Sequence, residues 1–582
     1  MPAVHVDPSG PAVAPGAGRR LRPSPRRTNP ALTALVFSAS GGRSAAPAEP
    51  RLRGIAPRLR RELRARAAAA RRAGGDPTAH GAVTLAAMLQ ARHLSSVELT
   101  EAYLARIARL NGDGGAIAVG RGPEGPDPSH AVYAGNGALN AFVTVYAETA
   151  RRAARAADIR LDAAARSGIP APLLCGLPVA LKDVIAVDGL PLSLGCPSLR
   201  GQRVAGDSAI WARLEADGAV LLGHTHTGPW TADDLCPQTA NPWDPSLAIG
   251  GSSGGSAAAA AARLAALTVG TDTGNSVRNP AQQAGISALK PSHGLIPLTG
   301  VSPLIPGLDH AGPMAPALED VSLMLSTLAG FEPTDPRTRR ATGWAAPARF
   351  PLLAHGGSRP LAGVRIGSTI ETEREPSRDR WDPEILAALR RCEDELRALG
   401  AEIVPVTPPE RVHAGTHDRL VDHHRREVLA ATYAQAEDAA VEAAVRLRHR
   451  HAPDERDALV GGPPSDPAAI AEAELLRRAY RTDWGRTMSR HRLDAVLWPQ
   501  KVQRPPRRDD DFTERFEGVD QARANTLGWP CAHMPVGPGA AGGLPVGVDL
   551  AAPWGRDAAL LRIALEYQAA YPHHEARAPA TR

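Results

Sequence analysis

Residues 250–278 read GGSSGGSAAAAAARLAALTVGTDTGNSVR. Two Ser/Gly-rich turns, Gly250–Ser256 and Gly270–Arg278, frame an alanine run and an apolar stretch. Alanine has the highest helix propensity, so the run from Ala257 predicts a helix. The stretch LTVGTDT (267–273) is strand-like. The order is turn, helix, strand, turn, and the flanking chain keeps the alternation. SSVELTEAYLARIARL (95–110) predicts a helix: Ser95 and Glu98 fit a capping box, and Leu99, Tyr103, Ile107 and Leu110 recur at helical spacing. Another helix is expected over about 147–165. LPVALKDVIAV (177–187) is β-like, and LEADGAVLLGHTHT (214–227) reads as a helix end, a turn and a buried strand. ILAALRRCEDELRALGAEIVPV (385–406) reads as helix, glycine stop and strand; LPVGVDLAA (544–552) and DAALLRIALEYQAAY (557–571) add a strand and a helix. Such alternation indicates an α/β fold around one large sheet.

The chain has 582 residues, 43% hydrophobic and 22% charged, which is ordinary for a soluble globular protein. The formal net charge is only +6. Much of the basic excess lies near the N-terminus, so no nucleic-acid face is indicated. Five widely spaced cysteines without a CxxC pair indicate neither a zinc knuckle nor a disulfide framework. A reducing, cytoplasmic setting follows. No apolar run approaches the ~18 residues of a membrane helix. Residues 1–78, rich in Arg, Pro and Ala, are expected to form a disordered extension. Within it Arg26 and Arg27 precede ALTALVFSAS, so export through an N-terminal signal is the alternative location. Residues 79–575 read as a single domain with a variable helical region at about 335–485, and 576–582 as a tail.

Lysine usage is peculiar. Lys182, Lys290 and Lys501 are the only lysines; every other basic residue is arginine. Arginine cannot release its proton near neutral pH, whereas a desolvated lysine can. Lys182 lies in the apolar run 177–187 and is therefore a candidate base, against the plain reading of a lysine snorkelling from a strand end.

The turn GGSSGGS has four readings. A flexible linker fits its composition, but the flanks are a Pro/Trp-bearing turn and a helix. A phosphate cradle lacks the Gly-Lys-Ser/Thr that would complete it. A nucleophile elbow centred on Ser253 needs a preceding strand, and NPWDPSLAI (241–249) holds two prolines. A serine relay needs a base elsewhere in the chain.

These motifs together resemble the amidase signature family, which includes fatty acid amide hydrolases and the A subunits of glutamyl-tRNA amidotransferases. The matching segments are GLPVALKDVIAVDGLP (176–191), the stretch from Gly250 to Ala281, LKPSHGLIPLTGVSPLIPGLDHAGPMA (289–315), ANTLGWPCAHMPVG (524–537) and GLPVGVDL (543–550). The likeness runs from about Thr84 to Tyr571 and is weakest over 335–480. It implies a large twisted mixed sheet covered by helices on both faces. It implies a Lys–Ser–Ser triad of Lys182, Ser252 and Ser276, with a cis peptide beside Ser252. Backbone N–H groups around Thr273, Gly274, Asn275 and Ser276 would form the oxyanion hole. No metal and no organic cofactor are implied. The substrate would be a small-molecule amide, and a homodimer stays open.

The chain departs from the family's usual pattern. Asn275 stands where glycine is usual, His224-Thr225-His226 replaces Lys-Thr-Asn, Ile249 replaces a proline, Ala288 a glycine and Asp549 a glutamine. Asp272 and Arg278 read as a structural ion pair pinning the second turn. Lys290 and His310 read as structural, and Lys501 as a surface residue. VHAGTHDRLVDHHRRE (412–427) places His413, His417, Asp418, Asp422, His423 and His424 close together, but Gly415 weakens a helical ligand pair. A charged, solvated helix face is expected there rather than a metal site. The reading that follows is an amidase working through an acyl-enzyme on Ser276. An amidotransferase component passing ammonia to a partner, an esterase using Ser253 and a catalytically silent scaffold are the alternatives.

Overall fold

A computed structural model of the chain describes residues 28–37, 57–112, 120–122, 125–127, 138–196, 199–231, 236, 238–344, 350–373, 378–409, 467–508, 522–538 and 543–579. Its centre is an 11-stranded mixed sheet. In chain order the strands are β1 (Phe142–Val145), β2 (Pro178–Lys182), β3 (Val220–Thr225), β4 (Leu267–Asp272), β5 (Ser287–Lys290) and β6 (His310–Ala315). The remainder are β7 (Arg365–Ser368), β8 (Glu402–Pro405), β9 (Ala495–Pro499), β10 (Cys531–Pro538) and β11 (Pro545–Ala551). They lie in the order β8-β7-β9-β11-β10-β5-β6-β4-β2-β3-β1. β2 runs parallel to β3 and β4, β7 parallel to β8 and β9, and the other neighbours are antiparallel.

Every residue of β2, β3, β4, β5, β6 and β9 is buried. A strand buried on both faces needs no polar alternation, which is why PVALK reads as a continuous apolar run. Helix Ala147–Ser167 lies against β3, Leu318–Leu328 against β6 and Arg278–Ala284 against β11. The edge strands β1 and β8 keep partly exposed residues.

The local signals operate as their chemistry requires. In helix Ser96–Leu110, the Ser95 side chain accepts from Glu98 N and the Glu98 side chain accepts from Ser95 N, completing the capping box. Helix Ala82–Gln90 begins after Gly81, which has no side chain to cap it. Asp320 supplies that acceptor from another helix, taking Val83 N at 2.8 Å. The β-like run at 177–187 is shorter as a strand than its composition suggests. β2 stops at Lys182, and the next residues form a turn in which Asp183 accepts from Ser193 N and Oγ.

Three expectations are corrected. Residues 1–78 are not wholly without order: Pro30–Phe37 and Pro57–Ala73 are helices. In the first, Leu32, Leu35 and Val36 are buried, Asn29 N donates to Arg203 O at 2.7 Å, and Ala205 N donates to Thr33 Oγ1 at 3.0 Å. The second buries Leu63, Ala67 and Ala70 and pairs Arg66 with Glu319 at 2.7 Å. In the region 335–485, read as variable and helical, β8 is the strand expected at the end of 385–406, but β7 is a second strand that was not anticipated. Lys501 is not a surface residue; it is fully buried, as are Lys182 and Lys290. The histidines at 413, 417, 423 and 424 lie outside the described residues.

Each large apolar side chain withdrawn from water contributes about 1.5–3 kcal/mol, offset in part by the cost of ordering the segment. A protein lacking residues 1–37 is therefore expected to unfold at lower urea concentration than one lacking residues 1–27. Equal midpoints contradict the packing of helix Pro30–Phe37.

Candidate active site

Lys182 is the last residue of β2, and its parallel neighbour β4 ends at Thr271 and Asp272. The candidate residues thus gather at the carboxyl end of a parallel pair, a common ligand position in α/β sheets. Ser252 and Ser253 arrive on the turn that opens helix Gly254–Ala261, and the Gly251–Ser252 peptide is cis. The turn sits tightly against backbone. A Cβ on Gly255 would lie 2.4 Å from His226 N and 2.6 Å from Ala141 O. Glycine is needed there for close approach, because backbone atoms cannot swing aside.

The Lys182 amine is fully buried and meets three hydroxyls: Ser252 Oγ at 2.7 Å, Ser253 Oγ at 2.9 Å and Thr271 Oγ1 at 2.9 Å. Burial pushes its pKa down from 10.5 to about 7, with partial opposition from Cys236, Asp272 and Asp309. The hydrogen-bond inventory fits the neutral amine. Ser253 Oγ donates to Thr271 O at 3.1 Å and accepts from Thr271 N at 3.2 Å, so toward Lys182 it is an acceptor. A neutral NH2 can donate to Ser253 and Thr271 and still accept from Ser252, whose hydroxyl has no other partner among the described residues. The same inventory argues against Ser253 as a nucleophile, since its proton is already committed.

Lys290 makes an instructive contrast. It too is fully buried, and burial lowers its pKa from 10.5 to about 7, as at Lys182, so only the partners set the two apart. Its partners are Trp529 O at 2.5 Å, Pro291 O at 3.2 Å and His310 Nε2 at 3.2 Å. His310 Nδ1 faces Leu308 O at 2.6 Å, so Nδ1 carries the proton and Nε2 accepts. Three acceptors favour the ammonium, against the pull of burial. Lys290 and His310 therefore hold strand ends together, as the sequence suggested.

Ser276 lies in the turn after β4 and is 7% exposed. Its hydroxyl makes no hydrogen bond to a described residue, so the Ser252–Ser276 link is open here; Ser253 N instead donates to Ser276 O at 3.2 Å. Among the described residues, the N–H groups of Gly274 and Ser276 have no protein acceptor. Neither Gly274 nor Asn275 has a positive φ, so position 275 does not require glycine's freedom. The Thr273 hydroxyl donates to Asp309 Oδ1 at 2.6 Å.

The turn is pinned from below by a buried charge network. Arg278 Nε donates to Asp272 Oδ2 at 3.1 Å, and its Nη2 donates to Gly274 O at 2.6 Å and Asn525 Oδ1 at 2.8 Å. Asp272 also accepts from Val277 N at 3.1 Å. The arginine beside it keeps the Asp272 carboxyl below its ordinary range despite burial. Asp549, which stands where the family usually has glutamine, accepts from Arg278 Nη1 at 2.9 Å and reaches His533 Nδ1 at 2.8 Å. Of the residues singled out by the sequence, the structure brings Lys182 into contact with Ser252 and pairs Asp272 with Arg278. Sequence reasoning did not anticipate Ser253 and Thr271 as partners of the lysine, although both lie inside the two Ser/Gly-rich turns. Nor did it foresee Asp549 and His533, which no spacing rule connects to residue 278. Among the described residues no group of side chains has the arrangement of a metal site.

Removing Asp549 leaves Arg278 paired with Asp272 but deprives its Nη1 and the buried His533 Nδ1 of their acceptor, at a cost of about 1–3 kcal/mol. Asp549→Ala is expected to lose stability on that scale in urea unfolding. Asp549→Gln, which keeps an acceptor for Arg278, is expected to lose less. A loss below ~1 kcal/mol for the alanine variant contradicts the network's role.

Comparison with known proteins gives the family. The family profile described as Amidase matches residues 129–561. The A subunit of the glutamyl-tRNA(Gln) amidotransferase from Azotobacter vinelandii (strain DJ / ATCC BAA-1303) is 33% identical over 519 residues, covering 84% of this chain and 97% of that protein. The solved structure of native peptide amidase from Stenotrophomonas maltophilia superimposes with a TM-score of 0.65 at 26% identity, covering 87% of this chain and 99% of that one. A 6-aminohexanoate cyclic dimer hydrolase, 22% identical over 87% of this chain and all of its own, shares the fold with a TM-score of 0.68. The chain belongs to the amidase signature family.

Proposed function

We propose that this protein hydrolyses a small-molecule carboxylic amide to the acid and ammonia or an amine, through an acyl-enzyme on Ser276. The observation that carries the reading is the fully buried Lys182 amine, with its pKa lowered to about 7 and Ser252 Oγ 2.7 Å away. A serine hydroxyl attacks an amide only as its proton is removed. Neutral Lys182 takes the Ser252 proton, and Ser252 takes that of Ser276 as the Ser276 oxygen bonds to the carbonyl carbon. Hydrogen bonds of this kind commonly tighten only when substrate is bound, which accommodates the open link to Ser276. The N–H groups of the 273–276 turn receive the oxyanion. As the tetrahedral species collapses, the proton returns through Ser252 to the leaving nitrogen. Water then enters by the same relay and releases the acid.

A second reading rests on the relatives named as amidotransferase subunits. In it, the same chemistry frees ammonia for a partner protein. Amide hydrolysis by the purified chain alone supports the first reading; activity that appears only with co-purified partner proteins supports the second. Among the described residues no helix is long and apolar enough to cross a membrane.

A serine-directed fluorophosphonate is expected to label wild-type protein on Ser276, and Ser276→Ala is expected to lose amide turnover by at least about a thousandfold. Label on Ser253 instead overturns the assignment.

The pH dependence follows from the direction of the Lys182 shift. Its neutral form grows as pH rises through about 7. kcat/KM is thus expected to climb below that pH and level off above it, with the limb absent from any residual activity of Lys182→Ala. The native state binds fewer protons at this site than the unfolded chain between about 7 and 10.5. Burial of the lysine therefore costs most at low pH, and its contribution to stability improves as pH rises through that window. A pH-independent kcat/KM between 5 and 9 contradicts the base.

A further inference from the structure

We propose that Asp309 is a positioning residue that holds the reactive turn in register through Thr273; the inference rests on the amidase reading above. Asp309 ends the segment 303–309 and directly precedes β6, where His310 sits opposite Asp272 of β4. The residues one step beyond that ladder pair, Thr273 and Asp309, meet through their side chains. Thr273 Oγ1 donates to Asp309 Oδ1 at 2.6 Å. The same carboxylate accepts from Leu304 N at 2.9 Å and from Ile305 N at 3.0 Å. It is only 8% exposed, and among the described residues no cation forms a salt bridge with it. Its partners are therefore donors of fixed direction, which set orientation as well as charge.

This makes Asp309 the second of two clamps on the turn. Arg278 holds the Gly274 carbonyl from one side, and Asp309 holds the Thr273 side chain from the other. Between the two anchors lies the Thr273–Gly274 peptide, whose N–H belongs to Gly274. Aiming that N–H is what an oxyanion site requires, and a misdirected donor acts on the transition state more than on substrate binding. The segment behind Asp309 is itself anchored: Leu304, Ile305 and Leu308 form an apolar cluster apart from the main core, and Arg477 Nη2 donates to Gly307 O at 3.0 Å. The clamp thus ties the turn to a firm wall, and Thr271, Thr273, Leu304 and Asp309 line one narrow cavity.

The test compares Thr273→Val, Thr273→Ser, Asp309→Asn and the Thr273→Val/Asp309→Asn double variant in the full-length protein. Each is measured for kcat and KM on an amide that the wild type hydrolyses, for fluorophosphonate labelling and for its urea midpoint. Thr273→Val leaves the Leu304 and Ile305 bonds to Asp309 in place, so it probes the clamp without undoing the 303–309 segment. The expected result is a fall in kcat of about 10–100-fold for Thr273→Val and for Asp309→Asn, with KM within about threefold of wild type. Thr273→Ser, which keeps the hydroxyl, recovers at least about tenfold of the valine loss. The double variant falls no further than the worse single variant, because both changes cut one path. A valine variant with wild-type kcat, a loss confined to KM, or single losses that multiply in the double variant overturns the proposal. Wild-type protein unlabelled on Ser276 overturns the amidase reading beneath it, and the inference with it. Labelled wild type with unaffected variants overturns the inference alone.

Discussion

A primary amine enclosed by protein and surrounded by three hydroxyls is the arrangement on which the rest of this site depends. Lys182 is out of contact with water; its nearest neighbours are hydroxyls, of which Ser253 accepts from it and Ser252 can donate to it. A charged ammonium in that position carries a desolvation penalty that the hydroxyl dipoles only partly offset, so the balance shifts toward the neutral amine. At Lys290 two carbonyls and an imidazole nitrogen stand in place of the hydroxyls, and these acceptors favour the cation against a burial that lowers its pKa to the same degree. The difference between a base and a strut lies in the partners, not in the depth.

The fold serves that arrangement by bringing distant segments to one edge of the sheet. β2 delivers the lysine, the turn before helix Gly254–Ala261 delivers Ser252 and Ser253, and β4 delivers Thr271 and the turn that carries Ser276. Glycine at 255 lets the serine turn press against the His226 backbone. Arg278, shared between Asp272 and Asp549, keeps the other turn from relaxing. Groups held this firmly need little reorganisation when charge develops on a reacting carbonyl.

Much of the sheet could be read from the chain because the signals were local. Ser95 and Glu98 announce a helix start on their own, and Gly218 and Gly400 end helices with positive φ, as stop glycines should. Lys182, Ser252 and Ser276 stood out through residue choice and through likeness to a family, because their chemistry is tied to short motifs. Partners set by tertiary packing were not legible. Asp549 meets Arg278 because β11 packs on helix Arg278–Ala284, and Asp309 meets Thr273 because β6 pairs with β4. The order near the N-terminus was hidden for the opposite reason: its composition is dominated by exposed arginines, while the few buried leucines and alanines do the packing. Lys501 was misjudged since a lone lysine beside prolines carries no sign of its burial.

The chain's three lysines, all buried, make the central claim open to direct measurement. Protein labelled with 13C at the lysine side chains presents only three Cε positions, and variants of each residue assign them. Their chemical shifts, followed from pH 5 to pH 9, report the charge on each amine. The Lys182 signal should titrate with a midpoint near 7. A Lys182 signal that remains that of an ammonium through pH 9 would contradict the account.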